Sequence, residues 1–449
     1  MKTERELHAL LASLTLSEKA GQMVQQGEEH LGGTGGEITG PLRHLRLEPG
    51  TTLEIGSVLG STGAAHIREL QARHLDRSRH GIPLLFMADV IHGYRTILPV
   101  PLAQGCSFDP DLVREGARMA AAEAAAGGVQ VNFSPMCDLV RDPRWGRVME
   151  TTGEDPWLNG LFAAAMTEGY QGGPGGSLRD PETLAACVKH FAAYGAAEGG
   201  RDYNTTDLSE RTLRESYLPA YRRALDAGCA MVMTSFNVVD GLPATGNARL
   251  LRTILREEWG FDGVVISDWN AIGELVPHGV AETFREAARL AVLAGVDIDM
   301  MSPCYANHLA ELVIAGEVPE RLVDEAVLRI LRLKNALGLF DDPFRQADPE
   351  REARVVFHPG HRALARKAAA RSMVLLKNDG LLPFPPDGGI VAVVGPYAVE
   401  RHILGGWSCL GEDADAASLP EALAERLGAH RVLAAAGCGS EGDDLDLAA

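Results

Sequence analysis

The chain has 449 residues, of which 46% are hydrophobic, so it is long and apolar enough to bury a large core and to form more than one domain. Lys and Arg number 42 against 61 Asp and Glu, which gives a formal net charge of −19. This excess of negative charge argues against binding to nucleic acid and against docking on an anionic membrane, because both need clustered positive charge.

The N-terminal segment has a helical pattern of apolar residues from Leu7 to Gln25, with a second start near Thr15. The first residues lack the apolar core of a secretory leader, and no window resembles a membrane span. The seven cysteines are scattered at spacings that favour neither a disulfide framework nor a zinc site. We therefore expect a cytoplasmic protein with no metal and no cofactor. The glycine-rich residues 31–53 are expected to form a surface loop.

Between about Ile55 and Gly338, short apolar runs alternate with helical patterns. This alternation is typical of parallel strands that helices bury on both faces, and it predicts an α/β fold with a (β/α)8-type, TIM-like barrel. In such a barrel the C-terminal ends of the strands form the active site, so polar residues at those ends are candidates for chemistry. The runs with polar ends are Leu84–Ala88 before Asp89, Val129–Val131 before Asn132, Cys187–Val188 before Lys189 and His190, Ala230–Met233 before Thr234, and Val264–Ser267 before Asp268.

Asp268 is the strongest of these candidates. It follows a buried-strand pattern of small and apolar residues, Gly263–Ile266, at the position where a barrel strand reaches the active-site face. An isolated Ser-Asp pair more often caps a helix or a turn. Because polar motifs end several other runs as well, a chemical role is favoured for Asp268.

A second unit is expected after the barrel. We assign residues 1–340 to the barrel domain, the charged and proline-punctuated residues 341–358 to a linker, and residues 359–449 to an α/β sandwich domain. The run Ile390–Pro396 predicts a buried strand in this second domain. Too few residues follow that strand to close a sheet, so the second domain is expected to be incomplete and the chain truncated.

Taken together, the motifs of this chain resemble glycoside hydrolase family 3, and in particular its β-glucosidase branch. The resemblance implies a retaining glycoside hydrolase that releases terminal β-linked glucose, or a similar sugar, through a covalent glycosyl-aspartate intermediate. It implies a β-glucoside or a short β-linked oligosaccharide as the partner, and it leaves the oligomeric state open. The matching motifs are Asp89 with Ile91–Gly93, Asp142–Arg147, Lys189–Phe191, Gly200–Asn204, Val265–Trp269 and, at the start of the second domain, Val374–Asn378.

The resemblance also implies roles for single residues. Asp268 matches the nucleophile, which must be ionised. We expect the neighbouring cations to favour its charged form, namely Lys189, Arg147 and Arg201. Phe236 stands where many relatives carry Tyr, so a hydrogen bond from that position to the nucleophile is expected to be absent. The residues expected to bind the sugar are Asp89, Arg147, Lys189, His190, Arg201, Met233 and Trp269.

The acid/base residue is not identified in this chain. In the β-glucosidase branch it is a glutamate of the second domain, and neither Glu412 nor Glu441 matches its motif. A second branch of the family uses a histidine–aspartate pair on the loop after the Lys-His-Phe motif, and residues 192–200 contain no histidine. A truncated, non-catalytic sugar-binding protein is therefore an alternative. A barrel aldolase that uses Lys189 as a Schiff-base amine is a more remote one.

Structural interpretations are favoured for some of the polar residues. Asp142 and Arg144 are expected to form a surface ion pair beside a turn. Asp297 and Asp299 are expected to accept structural hydrogen bonds near the last barrel strand. Trp269 fits either a stacking platform for the sugar or a core residue, and the sequence does not separate the two.

Overall fold

The computed structural model describes residues 1–28, 55–173, 175–385 and 387–440. The surface loop predicted over residues 31–53 and the side chain of Glu441 lie outside these ranges.

The N-terminal segment forms two helices, and the second begins at the start predicted near Thr15. Helix α1 (Glu4–Ser13) and helix α2 (Leu16–Gln22) are separated by extended backbone at Leu14, and the helical pattern predicted as far as Gln25 ends at Gln22. Each helix begins with a capping box, in which the Thr15 side chain and the Glu18 carboxylate satisfy each other's backbone N–H groups at the second start. This local arrangement stops α1 and allows the chain to turn into the first strand.

A parallel barrel forms the core of the protein and confirms the predicted fold class. Eight strands pair in the order β10-β7-β5-β4-β3-β2-β1-β11, and every pairing in this sheet is parallel. A parallel bridge between Ile266 and Ile298 joins the two ends of the sheet and closes it. The strands of this part of the chain are β1 (Val24–Gln26), β2 (Ser57–Leu59), β3 (Leu85–Ala88), β4 (Val131–Asn132), β5 (Ala185–Phe191), β6 (Thr205–Thr206), β7 (Met231–Thr234), β8 (Val238–Val239), β9 (Leu242–Pro243), β10 (Val264–Ile266) and β11 (Asp299–Met300).

Helices surround the barrel and bury the outer faces of its strands. Strand β5 is buried along its whole length, as expected for a parallel strand covered on both sides. Asp109 caps the helix that begins at Pro110, in agreement with the sequence pattern. The helices are α3 (Ala64–Arg77), α4 (Pro101–Gly105), α5 (Pro110–Ala126), α6 (Pro156–Gln171), α7 (Glu210–Thr212), α8 (Pro219–Asp226), α9 (Phe284–Ala294), α10 (Cys304–Ile314) and α11 (Glu320–Ala336), with π-type helices at Leu213–Tyr217 and Arg249–Glu258.

The C-terminal part forms a small α/β unit. Its elements are α12 (Pro349–Val355), α13 (Pro359–Ser372), β12 (Val391–Val394), α14 (Leu419–Leu427) and β13 (Val432–Ala435), and β12 and β13 pair in parallel as a two-stranded sheet. The strand predicted within Ile390–Pro396 forms as β12, but the prediction that it is buried was wrong, because Ile390 and Val394 are each 64% exposed. A two-stranded sheet with one crossover helix has too few neighbours to cover both faces of the strand.

Other features bear on the expected class of protein. Within the described ranges, no helix is long and apolar enough to cross a membrane. All seven cysteines are free thiols. The same ranges contain no group of three or more His, Cys, Asp or Glu side chains arranged to hold a metal ion.

Candidate active site

Charged side chains from different strands meet at the C-terminal end of the barrel. Lys189 Nζ lies 2.7 Å from Asp89 Oδ1. His190 Nε2 lies 3.3 Å from Asp268 Oδ2, and an Arg147 guanidinium nitrogen lies 3.2 Å from the same His190 atom. The fold therefore brings together five of the residues that the sequence analysis selected, because β3, β5 and β10 end at the same face.

Asp268 presents one carboxylate oxygen without a hydrogen-bond partner. Its Oδ1 accepts a hydrogen bond of 2.6 Å from the backbone N–H of Trp269. Its Oδ2 is buried and, within the described residues, accepts no hydrogen bond, although His190 Nε2 lies 3.3 Å away. A buried oxygen that is not engaged is suited to attack an electrophilic carbon.

The charge state of Asp268 is set by two opposing effects. Burial raises the pKa of its carboxyl group to about 6, although the Lys189 and Arg147 cations act to lower it. Lys189 and Arg147 therefore favour the charged form, as expected, but the desolvation of the buried carboxylate outweighs their attraction. At neutral pH the larger fraction of Asp268 is still ionised.

His190 is held rigidly from the side opposite the pocket. Its Nδ1 lies 2.7 Å from Asp138 Oδ2, and its backbone N–H donates to the same oxygen at 3.1 Å. The Tyr221 hydroxyl donates to Asp138 Oδ1 at 2.9 Å. Burial, followed by the Arg147 and Lys189 charges, holds the pKa of His190 well below its usual range. A neutral ring with its proton on Nδ1 fits this arrangement, so His190 acts as a fixed hydrogen-bonding group rather than as a titrating base.

Arg147 is fixed by a carboxylate that the sequence analysis did not select. Its Nε and a terminal guanidinium nitrogen donate to the two oxygens of Glu150 at 2.7 and 2.9 Å. Burial opposes the charge on Arg147, but Glu150 and Asp268 favour it and raise the pKa of Arg147 above its ordinary value. Glu150 is itself buried, so this bidentate pair places a permanent cation beside Asp268.

The remaining selected residues lie at the edge of the cluster or apart from it. Arg201 is exposed, and none of the polar contacts among the described residues joins its side chain to the cluster. Met233 is 1% exposed within β7 and pairs with Ile266 of β10. Trp269 directly follows Asp268 and is 41% exposed, which favours a platform over a core residue.

The structural interpretations agree with the geometry. Arg144 and Asp142 form an ion pair of 2.6 Å with 71% of the Arg144 side chain exposed. Asp297 accepts hydrogen bonds from Arg256 and from the backbone of Val265. Asp299 accepts hydrogen bonds from Ser302 and Tyr305, which follow the last barrel strand.

Aromatic rings line one side of the site. Phe236 packs against Tyr194 and Tyr203, with ring centroids 5.6 and 4.7 Å apart. The phenyl ring of Phe236 has no hydroxyl group, so Phe236 donates no hydrogen bond to Asp268. Tyr203 is 47% exposed and is therefore available to contact a ligand.

Trp407 reaches the site from the C-terminal unit and was missed by the sequence analysis. Lys189 Nζ lies 5.6 Å from the centre of its ring, and the ring is 46% exposed. His92 Nε2 lies 2.8 Å from the carbonyl oxygen of Gly406, which fixes the neighbouring residue against the barrel. The signal in the sequence that could have pointed to Trp407 was its place directly after the pair Gly405–Gly406, in a region that the family resemblance covers.

Glu274 is a second carboxyl group near Asp268 that the sequence analysis missed. It lies in the short helical turn Gly273–Leu275, on the loop that follows β10 and Asp268. Burial raises the pKa of Glu274 to about 7, and the negative charges of Asp268 and Asp202 add to this increase. The signal in the sequence was a further acidic residue on the loop that begins with Asp268.

Comparison with known proteins identifies the relatives of this chain. Residues 15–333 match the family model described as Glycosyl hydrolase family 3 N terminal domain. A periplasmic beta-glucosidase of Salmonella typhimurium is 39% identical over 411 residues, which cover 90% of this chain and 52% of that protein. A putative beta-xylosidase of Formosa agariphila is 33% identical over 411 residues, covering 88% of this chain and 54% of that protein.

Solved structures give the same result. The beta-glucosidase from Listeria innocua in complex with isofagomine is 48% identical, with a TM-score of 0.91, and the match covers 97% of this chain and 59% of that chain. Further structures of the Listeria enzyme contain glucose or, in a mutant, laminaribiose. The chain thus spans about half the length of the curated relatives it matches.

Proposed function

Since the chain belongs to glycosyl hydrolase family 3, we propose that its barrel carries the site of a retaining β-glucosidase. The substrate is a β-glucoside or a short β-linked oligosaccharide, and the product is its terminal glucose. The observation that carries this proposal is the unpartnered Oδ2 of Asp268, which lies beside the fixed side chains of Lys189, His190 and Arg147.

The charged cluster suits a neutral ligand that is rich in hydroxyl groups. Asp89 provides acceptors, and Lys189 and Arg147 provide donors, each held by an ion pair before the sugar arrives. Groups that are already oriented lose little entropy on binding, so they discriminate between hydroxyl configurations. The Lys189 ammonium already donates to Asp89, which does not favour a Schiff-base role.

Glu274 is our candidate for the acid/base residue. In the first step Asp268 Oδ2 attacks the anomeric carbon while Glu274 gives its proton to the departing glycosidic oxygen. In the second step Glu274 takes a proton from water, whose oxygen attacks the same carbon and releases Asp268. The pKa values of about 6 for Asp268 and about 7 for Glu274 support this division, since the nucleophile must be ionised and the acid protonated.

The sugar and the compartment are further parts of the proposal. The glucose and laminaribiose complexes of the Listeria enzyme support a gluco-configured substrate. We assign to the exposed rings of Trp269 and Trp407 the stacking against the sugar unit next to the terminal glucose. Xylose is the second option for the sugar, because beta-xylosidases are also among the relatives. The cytoplasmic location stays a prediction, and the Salmonella relative is named periplasmic. Cell fractionation of the source organism tests it.

Hydrolysis of matched aryl glycosides tests the proposal. The protein should cleave 4-nitrophenyl β-glucoside and leave the α-glucoside intact, and proton NMR should detect β-glucose as the first product. The Asp268→Asn variant should lose this activity, whereas Asp142→Asn, at the surface ion pair, should retain it. An α-anomeric first product, or activity that survives in Asp268→Asn, would contradict a retaining mechanism on Asp268.

A further inference from the structure

Outside the sugar site, a second buried carboxylate lies where the barrel meets the C-terminal unit. Glu123 belongs to α5, and its side chain is 0% exposed. Its Oε2 accepts hydrogen bonds from the backbone N–H groups of Arg95 and Thr96 at 3.1 and 2.9 Å. Its Oε1 contacts the Thr96 hydroxyl at 2.6 Å, the Phe357 N–H at 2.9 Å and His361 Nδ1 at 2.7 Å. One side chain therefore connects a barrel helix, a barrel loop and the start of α13.

The charge of Glu123 is retained although it is buried. Burial raises the pKa of the carboxyl group, but hydrogen bonds from His361 and Thr96 outweigh this effect and hold the pKa below its ordinary value. None of the atoms bonded to Glu123 belongs to the sugar site. A buried carboxylate with this many donors fixes the backbone around it, because each donor would be left unpaired if it moved away.

The loop fixed by Glu123, His92–Leu98, also holds the segment that carries Trp407. Arg95 forms ion pairs with Glu412, at 3.3 Å, and with Asp415. Arg95 is thus bonded to Glu123 through its backbone N–H and to the C-terminal unit through its side chain. The further contacts between loop and segment are Leu410 N–H to Tyr94 O at 2.8 Å and His92 Nε2 to Gly406 O at 2.8 Å.

The segment Leu404–Gly411 packs closely against side chains of the barrel. A Cβ atom added at Gly411 would lie 2.4 Å from Cγ1 of Ile97, which belongs to the loop, and one added at Gly405 would lie 2.8 Å from Cγ1 of Val100, which lies just beyond it. These side chains fill the space beside both glycines. Together with the hydrogen bonds between loop and segment, this packing should transmit a displacement of the loop to the segment and to the Trp407 ring above Lys189.

We propose that Glu123 is a positioning residue for substrate binding, which fixes the loop His92–Leu98 and, through this loop, the Trp407 ring over the sugar pocket. The effect on sugar affinity rests on the proposed function, whereas the effect on the Trp407 ring does not. Glu123 touches neither the sugar nor the reacting atoms, so its influence should be seen in binding and in the surroundings of Trp407.

Fluorine NMR of protein labelled with 5-fluorotryptophan tests the proposal. The chain has five tryptophans, and the Trp407 signal is assigned by its absence in Trp407→Phe. In Glu123→Gln the Trp407 signal should shift or broaden, while that of Trp157, which is 65% exposed on α6, should stay in place. The matched control is Glu115→Gln on the same helix, whose exposed ion pair with Lys367 also reaches α13. All five signals should be unchanged in this control.

Calorimetric titration with isofagomine adds the functional readout. The dissociation constant should rise at least about fivefold in Glu123→Gln, the lower end of typical coupling between sites, and stay constant in Glu115→Gln. Should Glu123→Gln fail to fold, Arg95→Gln removes the link to Glu412 and Asp415 but keeps the backbone bonds to Glu123, and it should change the same Trp407 signal.

The outcomes separate the two proposals. An unchanged Trp407 signal in folded Glu123→Gln would overturn the positioning role. So would an equal change in all five signals, because it would indicate general loosening of the fold. Wild-type protein that does not bind isofagomine would contradict the proposed function, and the Trp407 signal would still decide the role of Glu123.

Discussion

At the scale of single residues, the proposed chemistry depends on the buried carboxyl group of Asp268 and the half-buried carboxyl group of Glu274, which have different pKa values. Asp268 has a pKa of about 6, and Glu274 has a pKa of about 7 because the charge of Asp268 adds to the effect of burial. Between these values one group is mainly ionised and the other mainly protonated. This is the combination that nucleophilic attack with proton donation requires.

The first prediction concerns the pH dependence of kcat/KM. Activity should rise as Asp268 loses its proton near pH 6 and fall as Glu274 loses its proton near pH 7, with both limbs belonging to the coupled pair. In Glu274→Gln the falling limb should disappear, and alkyl glucosides should lose about 10²–10⁴-fold in rate while dinitrophenyl glucoside loses little. Initial rates from pH 4.5 to 9 measure this. A falling limb that persists in Glu274→Gln would assign the proton donor to another residue.

The second prediction concerns the support of His190. In Asp138→Asn an amide replaces the carboxyl group that faces His190 Nδ1 and the His190 backbone N–H, so the ring loses part of its fixed orientation. A buried donor left without its partner costs about 1–3 kcal/mol, which corresponds to roughly a fivefold to hundredfold decrease in kcat/KM. Steady-state kinetics against the surface control Asp142→Asn measure it, and equal values for the two variants would show that Asp138 has no influence on the site.

The sequence predicted those site residues that directly follow apolar runs. Asp89, Lys189 and Asp268 are of this kind, because the end of a parallel strand fixes where the next side chain lies. Glu150, Glu274 and Trp407 could not be placed in this way. Their positions depend on how loops fold back over the barrel, and no local pattern determines that.

At the scale of elements, local capping decides where the N-terminal helices begin. The apolar pattern continues through Leu14, yet the helix stops there, because the Thr15–Glu18 capping box provides partners for the backbone of a new helix. The second start that the sequence predicts near Thr15 is confirmed, and side-chain hydrogen bonds to the backbone determine where the break lies. Strand β12 is half-exposed although its sequence is apolar. An apolar sequence predicts burial, but the burial itself requires neighbouring elements that cover the strand.

The third prediction tests this capping box. Thr15→Ala removes the oxygen that accepts from the Glu18 N–H, and the free energy of unfolding should decrease by about 1 kcal/mol. Urea denaturation measures the change. The control is Ser13→Ala, whose hydroxyl bonds only to the Leu10 carbonyl group at the exposed end of α1, and it should have a smaller effect. A Thr15→Ala variant as stable as the wild type would show that packing alone sets the start of α2.

At the scale of the whole molecule, buried carboxyl groups make stability depend on pH. Burial raises the pKa of Asp299 to about 7 from 3.8, and that of Asp138 to about 7. Between the ordinary pKa of 3.8 and the raised value of about 7, these two carboxyl groups keep their protons in the folded protein and release them in the unfolded chain. The free energy of unfolding therefore decreases as the pH rises from about 4 to about 7.

The fourth prediction follows from this linkage. In Asp299→Asn the titrating group is absent, so the decrease in the free energy of unfolding between pH 5 and pH 7.5 should be smaller than in the wild type. Urea denaturation at both pH values measures it. Asp142→Asn is the control, because the pKa of Asp142 is lowered to about 2, outside the range tested. An Asp299→Asn curve parallel to that of the wild type would contradict the role of Asp299 in this pH dependence.

The measurement that tests the account most directly is covalent trapping of the glycosyl-enzyme. The protein is incubated with an activated 2-deoxy-2-fluoro-β-glucoside, which forms the intermediate but releases it slowly. Intact mass and peptide mapping should find one fluorosugar attached to Asp268, and Asp268→Asn should remain unlabelled. A sugar attached to another residue, or no adduct on folded protein, would contradict the assignment of Asp268 as the nucleophile of a working site.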